Sequence, residues 1–395
     1  MLSKIKTADF HNMAFKEFLN KHLLQLEDKF DDFFSALKTR LGLNDPIQIV
    51  PYRTYGTTNR LFIKGRVLQD KLLKSSTSQD TIFTNLVNMY KRFESDEVPH
   101  AVIRVKHQHK DHFITTDHEG YFELNISPDD IIDLNELWQT VELELHQAPF
   151  PVEGKSLASS EILIPPYDSE FGVISDIDDT IVQTSATNVL SMASTVFLRN
   201  AHTRLPFPGV SAFYRALQLG RNGKRNNPFF YVSSSPWNMY DLLREYMDLN
   251  DIPQGPLLLR DFGFNGLQFS GSGNHQDHKL KQIDNILTTY PLLNFVLIGD
   301  SGQDDPVIYK EVVKRFPGRV LAIYIRDVQN LRKEKAASAI AEEISLAGVD
   351  MLVIDTAKEA ADHASEKGLI LTEELPAIKV DKDMDTGVAP GKAEL

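Results

Sequence analysis

The strongest constraint in this 395-residue chain is residues 171–181, an apolar run that ends in a group of acids. Residues 173–174 are valine and isoleucine, which is typical of a buried strand of a parallel sheet. Asp176, Asp178 and Thr180 follow directly. Like charges at the tip of an apolar strand are costly unless a cation lies among them. The stretch therefore predicts a site for a divalent metal and a phosphate, with one aspartate free to attack phosphorus.

Two of these acids have the spacing that phosphoryl transfer needs. Asp176 and Asp178 project the same way from an extended backbone, so one is expected to be the nucleophile and the other to transfer the proton. Taken alone, the stretch has an alternative interpretation as a strand-end turn, because Asp-Asp-Thr also occurs in loops and at helix N-caps. The residues at later strand ends favour the catalytic interpretation.

Three further strand ends or helix starts carry polar residues that complete such a site. Ser233 follows the apolar run 229–232, Lys279 lies at the start of a predicted helix, and Asp300 follows the apolar run 295–298. Ligands of open α/β sheets bind at the carboxyl ends of the strands, so we expect these side chains to lie together. Ser235, which precedes a proline, is expected to be a helix N-cap instead.

The expected roles follow from the chemistry of each side chain. Hard oxygen ligands suit Mg²⁺, whereas a hydroxyl and an ammonium suit the phosphoryl oxygens. The predicted metal-binding residues are Asp176, Asp178, Asp300 and Asp304. The predicted phosphate-binding residues are Thr180, Ser233 and Lys279. Asp304, four residues after Asp300, is expected either to position Lys279 or to bind the waters of the metal.

This ordered set resembles the haloacid-dehalogenase superfamily of phosphatases, and more closely the actin-patch phosphatidate phosphatase family and its bacterial relatives. The closer resemblance is carried by residues 176–180, 208–209, 231–237, 297–306 and 323–327. It implies that Asp176 forms an aspartyl-phosphate, and that Asp178 protonates the leaving alkoxide and then activates water. It also implies Mg²⁺ as cofactor, phosphatidate as substrate and diacylglycerol as product, with peripheral contact to a membrane.

Two other functions remain open at this point. No sequence feature shows a groove for acyl chains, so a phosphatase for a soluble phosphomonoester is the alternative with the same chemistry. A catalytically inert module that binds lipid or a partner protein is the alternative from a different class. Intact Asp176 and Asp178 argue against the inert module. An apolar helical segment, Thr184 to Pro208, is a candidate cap that would admit an acyl chain.

Composition narrows the class of protein and its compartment. The net charge of −13 argues against binding to nucleic acid. The absence of cysteine excludes disulfides, thiolate metal sites and a cysteine nucleophile. Neither an apolar signal core nor a run of about 20 apolar residues is found, so the expected location is the cytoplasm.

The pattern of segments predicts several regions. We expect an α/β catalytic domain with a doubly wound parallel sheet and a small helical cap, preceded by a helical segment and a β-sandwich. The predicted boundaries are 1–45 for the helical segment, 46–150 for the β-sandwich domain, 151–168 for a linker, 169–375 for the catalytic domain and 376–395 for a disordered tail. The aromatic loop 51–56 is either a structured turn or part of the active-site surroundings.

Overall fold

The structure is a computed structural model that describes residues 47–69, 97–150, 152, 155–181, 208–260, 273–328 and 330–386. The predicted N-terminal helical segment and nearly all of the candidate cap lie outside the described residues. Within the described residues, no helix combines the length and the apolar character needed to cross a membrane.

The first region is built from eight strands that hydrogen bond into one continuous path. The strands are β1 (Ile47–Pro51), β2 (Thr54–Thr57), β3 (Arg60–Gln69), β4 (Val102–His107), β5 (Lys110–Thr115), β6 (Tyr121–Ile126), β7 (Trp138–Gln147) and β8 (Leu157–Leu163). Their order is β1-β3-β2-β8-β7-β4-β5, and β6 pairs with β3. β6, which branches from the path at β3, also contacts β5 at the end of the path, and an apolar core lies between the strands.

One of these strands lies in the segment predicted to be a linker. β8 pairs antiparallel with β7 and parallel with β2, so residues 157–163 are part of the sheet and the linker prediction is wrong there. The seven residues of β8 include two serines and a glutamate. Its strand character therefore comes from pairing with two neighbours rather than from an apolar pattern.

The second region contains a parallel sheet of six strands. They are β9 (Gly172–Ser175), β10 (Phe229–Pro236), β11 (Leu257–Arg260), β12 (Phe295–Asp300), β13 (Val320–Arg326) and β14 (Asp350–Ile354). Their order in the sheet is β11-β10-β9-β12-β13-β14, and every neighbouring pair is parallel. β9, β10 and β12 lie at the apolar runs 173–174, 229–232 and 295–298 that predicted them, because strands buried on both faces are continuously apolar.

Helices cover both faces of this sheet. They are α1 (Val210–Leu219), α2 (Tyr240–Leu249), α3 (Gly273–Thr289), α4 (Asp305–Arg315), α5 (Leu331–Ser345), α6 (Ala357–Glu366) and α7 (Leu375–Thr386). Alternate strand residues point to opposite faces, so Val173 packs with α1, α2, α6 and α7, whereas Ile174 packs with α3, α4 and α5. The predicted α/β class is confirmed, whereas the haloacid-dehalogenase-like classification and the cap stay predictions.

The C-terminal helix differs from the expectation of a disordered tail at 376–395. Residues 375–386 form α7, and two of its carboxylates accept hydrogen bonds from the first turn of α1. Asp385 accepts from the Gly209 amide at 2.8 Å, and Asp381 accepts from the Ala212 amide at 3.0 Å. The acids that favour disorder in an isolated segment thus cap a neighbouring helix N-terminus here.

Candidate active site

The candidate site lies where the strand order of the parallel sheet reverses. β9 has β10 and β11 on one side and β12 to β14 on the other, so the chain leaves β9 and β12 in opposite directions. Such a reversal opens a crevice at the carboxyl ends of the two strands. The Asp176 amide donates to the Ile298 carbonyl at 2.9 Å, which brings the loop after β9 against the end of β12. Asp176 and Asp300 are thereby placed at one point.

Lys279, from α3, lies buried between two carboxylates. Its Nζ is 2.9 Å from Asp176 Oδ1 and 2.7 Å from Asp305 Oδ1, and the residue is only 3% exposed. Burial opposes its charge, but Asp176 and Asp305 outweigh burial and raise the pKa of Lys279. A permanently charged ammonium therefore contacts the predicted nucleophile. The sequence-based grouping of Lys279 with Asp176 is borne out by this contact.

Asp305, rather than the predicted Asp304, is the acid that positions Lys279. Both oxygens of Asp305 are engaged, because Oδ1 contacts Lys279 and Oδ2 accepts from the Asp300 amide at 3.1 Å. Asp304 instead is the N-cap residue of α4, half-buried, and its side chain makes no capping hydrogen bond. The prediction for Asp304 as the residue that positions Lys279 is therefore wrong by one position.

The start of α4 explains this shift. Asp305 is the first helical residue of α4, and Pro306 follows it in the first turn, where a missing backbone N–H costs no helical hydrogen bond. Because helical side chains tilt towards the helix N-terminus, the Asp305 side chain points back towards the end of β12.

Asp178 lies in a group of hydroxyls at the end of β10. Ser233 donates to Asp178 Oδ2 at 2.6 Å, and Ser235 donates to Asp178 Oδ1 at 3.0 Å. The expected N-cap role of Ser235 is wrong, because the short 3₁₀ turn Trp237–Met239 has Pro236 at its N-cap and no side-chain cap. β10 continues to Pro236 instead, which keeps Ser233 and Ser235 on the same side of an extended backbone.

The residues present fit a divalent metal with oxygen ligands. Carboxylate oxygens of Asp176, Asp300 and Asp305 all lie within 4.8 Å of one another. Asp300 Oδ1 accepts from the Gly302 and Gln303 amides, whereas Asp300 Oδ2 is buried without a hydrogen-bond partner among the described residues. A buried carboxylate oxygen that lacks a donor is what a cation ligand looks like in a metal-free site. Asp300 is the best ligand because its Oδ2 is unpartnered, and Asp176 is the second because the hydrogen bond that its Oδ2 accepts from Gln303 is long, at 3.3 Å.

The pKa values of these acids are raised, chiefly because burial disfavours the charged form of each carboxylate. Burial raises the pKa of Asp176 well above its usual value, although Lys279 opposes the shift. Burial also raises the pKa of Asp178, against the hydrogen bond from Ser233. Burial and the neighbouring Asp305 raise the pKa of Asp300 to about 7. A bound divalent cation would reverse these shifts, because it favours the charged form of each carboxylate.

Thr180 and Arg326 lie beside the same loop. Thr180 is fully buried, and its hydroxyl has no hydrogen-bond partner among the residues that the structure describes. The structure therefore places it at the site without a contact to Ser233 or Lys279, and its phosphate-binding role stays a prediction. Arg326, at the end of β13, donates to the carbonyl of Asp179, which has a positive φ of 58°. Arg326 thus holds the loop between Asp178 and Thr180.

Gln303 is a residue of the site that sequence reasoning missed. Its Nε2 donates to the Asp178 carbonyl at 3.1 Å and to Asp176 Oδ2 at 3.3 Å, and its Oε1 accepts from Lys279 at 3.4 Å. One amide side chain therefore contacts the nucleophile, the backbone of the second aspartate and the lysine. The only sequence signal for it is its place between Asp300 and Asp305 in the loop that enters α4.

The aromatic loop at 51–56 contacts residues near the end of β10. Tyr52 stacks on Trp237 with ring centroids 4.5 Å apart, and Lys64 lies 4.6 Å above the Trp237 ring. The Arg53 amide donates to the Tyr240 hydroxyl at 2.6 Å. Trp237 follows Ser235 by two residues, so the β region packs against the segment that directly follows β10. That the loop faces the active site stays a prediction.

Residues 171–327 match the family model described as the catalytic domain of phosphatidate phosphatase APP1. The family resemblance is confirmed over these residues. The matched segment contains every residue that was predicted for the site, from Asp176 to Asp304, and also Gln303, Asp305 and Arg326. β1 to β8 precede the match, and α5, α6 and α7 follow it.

Two curated relatives match beyond chance. Phosphatidate phosphatase APP1 of Saccharomyces cerevisiae is 36% identical over 185 residues, which cover 46% of this chain and 30% of that protein. An uncharacterized protein of Schizosaccharomyces pombe is 28% identical over 221 residues, which cover 55% of this chain and 34% of that protein. The chain thus spans about a third of the length of the curated relatives it matches.

Among solved structures, a carbohydrate acetylesterase from Xanthomonas citri aligns with 74% of both chains at 11% identity and a TM-score of 0.25. A ferredoxin-NADP⁺ reductase mutant from Plasmodium falciparum aligns with 71% of this chain and 94% of its own at 9% identity and a TM-score of 0.19. Scores this low carry no relationship of fold, and none is inferred.

Proposed function

We propose that the residues around Asp176 form the active site of a magnesium-dependent phosphomonoesterase that hydrolyses phosphatidate to diacylglycerol through an aspartyl-phosphate. The observation that carries the chemistry is the buried contact of 2.9 Å between Lys279 Nζ and Asp176 Oδ1, with Asp178 two residues further along the same loop. The family match and the yeast relative that is named as a phosphatidate phosphatase support the choice of substrate.

In the first half of the reaction, a carboxylate oxygen of Asp176 attacks phosphorus and the bond to the alkoxide leaving group breaks. In the proposed role, Asp178 donates a proton to that alkoxide. Lys279 offsets the negative charge that gathers on the nucleophile and the phosphoryl oxygens. The products of this half are the free alcohol and a phosphoryl group on Asp176.

In the second half, Asp178 removes a proton from water as that water attacks the phosphorus of the aspartyl-phosphate. The acyl–phosphate bond breaks, inorganic phosphate leaves, and Asp176 returns as a carboxylate while Asp178 is protonated again. The Ser233 and Ser235 hydroxyls, both within 3.0 Å of Asp178, hold its carboxyl group in one orientation for both proton transfers. Ser233 has a single hydroxyl proton, so in its predicted role it would donate that proton to a phosphoryl oxygen in place of Asp178.

Asp176 and Asp300 are the residues that would hold Mg²⁺, on the grounds of the unpartnered Asp300 Oδ2 and the excess of buried carboxylates. When bound, the metal ion supplies charge neutralisation and orients the phosphoryl oxygens for in-line attack. The carboxyl oxygens of Asp178 accept hydrogen bonds from Ser233 and Ser235, so Asp178 would contribute to the metal site through its backbone carbonyl.

Lipid specificity and location extend the proposal beyond the chemistry. Phosphatidate lies in a membrane surface, so the proposed enzyme is peripheral to a membrane and works from the cytoplasm. The segment proposed to admit an acyl chain, 184–208, lies almost wholly outside the described residues. A soluble phosphomonoester as substrate is therefore treated as an outcome of the test.

The test measures phosphate release from phosphatidate vesicles and from a panel of soluble sugar phosphates, each with Mg²⁺ and with a chelator. The proposal predicts release from phosphatidate that the chelator abolishes and that Asp176→Asn reduces to background. Acid-stable labelling of the protein by ³²P-phosphatidate should be present in wild type and absent in Asp176→Asn. Faster turnover of a soluble ester than of phosphatidate would mean that the soluble ester is the substrate. No phosphate release from any substrate would support the alternative of a catalytically inert module.

A further inference from the structure

Gln303 places a hydrogen-bond donor between two oxygens that are suited to a cation. Its Nε2 lies 3.1 Å from the Asp178 carbonyl and 3.3 Å from Asp176 Oδ2. The two protons of a single amide nitrogen serve these two acceptors, one each. Backbone carbonyl and carboxylate oxygens are also the ligands that hard divalent cations take.

A cation and the amide nitrogen compete for these oxygens. Bonds from Mg²⁺ to oxygen are about 2.0–2.1 Å long, so a cation bound to these oxygens would lie close to the positively polarised protons of the Gln303 amide. Asp300 Oδ2 is buried without a hydrogen-bond partner among the described residues, and oxygens of Asp300 and Asp176 lie within 4.8 Å of each other. The amide protons directed at Asp176 and Asp178 would therefore oppose a cation held by Asp176 and Asp300.

The side chain has a way to leave this position while its backbone stays in place. The backbone N–H of Gln303 donates to Asp300 Oδ1 at 2.9 Å, so the loop is held by an aspartate that is also a proposed metal ligand. The side chain itself is half-buried, and among the described residues its Oε1 accepts a long hydrogen bond of 3.4 Å from Lys279. Rotation about the side-chain bonds would move the amide away from the two oxygens.

We propose that Gln303 is a placeholder for the divalent cation: its amide protons satisfy Asp176 and Asp178 in the metal-free protein, and the metal must displace them. The inference rests on the proposed metal-dependent function and adds a residue that sets the affinity of the site. Gln303 is a positioning residue, because it acts through the oxygens of Asp176 and Asp178. Since it stabilises only the metal-free form, removing its amide should strengthen metal binding.

The test is a calorimetric titration of the full chain with MgCl₂, without substrate, for wild type and Gln303→Met. Methionine keeps the length of the side chain and removes both amide protons. We expect the Kd for Mg²⁺ to fall by about tenfold, the effect of one to two lost hydrogen bonds of ordinary net strength. Gln303→Ala, which leaves space instead of a thioether, should shift the Kd in the same direction.

Matched controls identify the site and the cause. Gln139→Met removes another glutamine amide that donates to a backbone carbonyl, that of Asp133 at 2.7 Å in the β region, and should leave the Kd for Mg²⁺ unchanged. Asp300→Asn should abolish the heat of binding, which shows that the titration reports this site. Electron paramagnetic resonance of free Mn²⁺ gives the same comparison by a second method.

The outcomes separate the two proposals. An unchanged or weaker Kd in both Gln303 variants, with binding intact in wild type, overturns the placeholder role and leaves the metal-dependent function standing. Absence of Mg²⁺ and Mn²⁺ binding in wild type overturns both. Tighter binding in Gln303→Met and Gln303→Ala but not in Gln139→Met establishes the placeholder.

Discussion

Asp305 Oδ1 lies 2.7 Å from Lys279 Nζ, and this contact joins the first residue of α4 to the middle of α3 beneath the predicted nucleophile. Both residues are buried, so if one charge were removed, water could not solvate the other. Asp305 thereby fixes the height at which Lys279 meets Asp176. A helix start thus determines the position of a side chain carried by a different helix.

The first prediction concerns this contact. Asp305→Asn should lower kcat by about 10²-fold, because a misplaced or weakly held Lys279 stabilises the transition state less. Asp304→Asn is the matched control, one residue away and half-buried, and should stay within about threefold of wild type. The measurement is steady-state phosphate release with Mg²⁺ in excess. Equal losses in the two variants would contradict the role of Asp305 and restore Asp304 as the candidate.

The second prediction uses the close approach of Gly299 to the same carboxylate. A Cβ at position 299 would lie 2.5 Å from Asp305 Oδ2, so Gly299→Ala should push Asp305 away from the Asp300 amide and lower kcat by about tenfold or more. Gly318→Ala is the control, because no atom lies within 4 Å of its Cβ although its φ is +75°. That variant should lose about 1–2 kcal/mol of stability and keep its kcat.

The third prediction concerns stabilisation by the metal. A ligand that binds only the folded state at 100 times its Kd adds about 2.7 kcal/mol of stability, so Mg²⁺ should raise the melting temperature and a chelator should reverse the rise. Asp300→Asn should lose most of this response, since it removes the charge of a buried ligand. Asp284→Asn, which breaks an ion pair with Arg315 outside the site, should keep it. A persistent response in Asp300→Asn would place the metal elsewhere.

The fourth prediction is a pH dependence of stability at the edge of the sheet. Lys367, first, and then His363 lower the pKa of Asp350 below its usual value of 3.8. A carboxylate with a lowered pKa stabilises the fold above pH 3.8 and loses that effect as the pH falls through its folded-state pKa. Asp350→Asn should therefore be less stable than wild type at pH 7, and the difference should shrink below pH 3.8.

The size of that difference is limited by solvent. The Asp350 side chain is 43% exposed, so the pair with Lys367 should contribute no more than about 1 kcal/mol. Thermal melts of both proteins at several pH values provide the comparison, and 1 M salt should narrow the gap at pH 7. A gap that widens on acidification would mean that Asp350 is repelled rather than stabilised by its neighbours.

The strands of the catalytic sheet were predictable because burial on both faces leaves a strong apolar signal. Val173–Ile174 and the runs at 229–232 and 295–298 could hardly form anything else between helical segments. The gathering of Asp176, Ser233 and Asp300 was predictable from topology alone, since the carboxyl ends of neighbouring parallel strands meet at one edge.

What the sequence did not reveal depends on phase and on long-range partners. The choice between Asp304 and Asp305 is a matter of one residue in the start of α4, and helix boundaries are the least certain part of such predictions. The sequence predicts Ser235 as a helix N-cap, and only the structure shows that β10 continues past Ser233 to Pro236. Two acids of helix α7 accept hydrogen bonds from the backbone amides of Gly209 and Ala212, which lie about 170 residues away in the sequence.

The stacking of Tyr52 on Trp237 has a practical consequence for anyone dividing this chain. A fragment trimmed to the matched residues 171–327 would keep the residues of the candidate site but lose Tyr52 and Lys64, which would expose the rings of Trp237 and Tyr240. Two solvent-exposed aromatic rings at that place would favour association between copies of the fragment. An expressed fragment should therefore begin before Ile47, so that Tyr52 and Lys64 are present to cover Trp237.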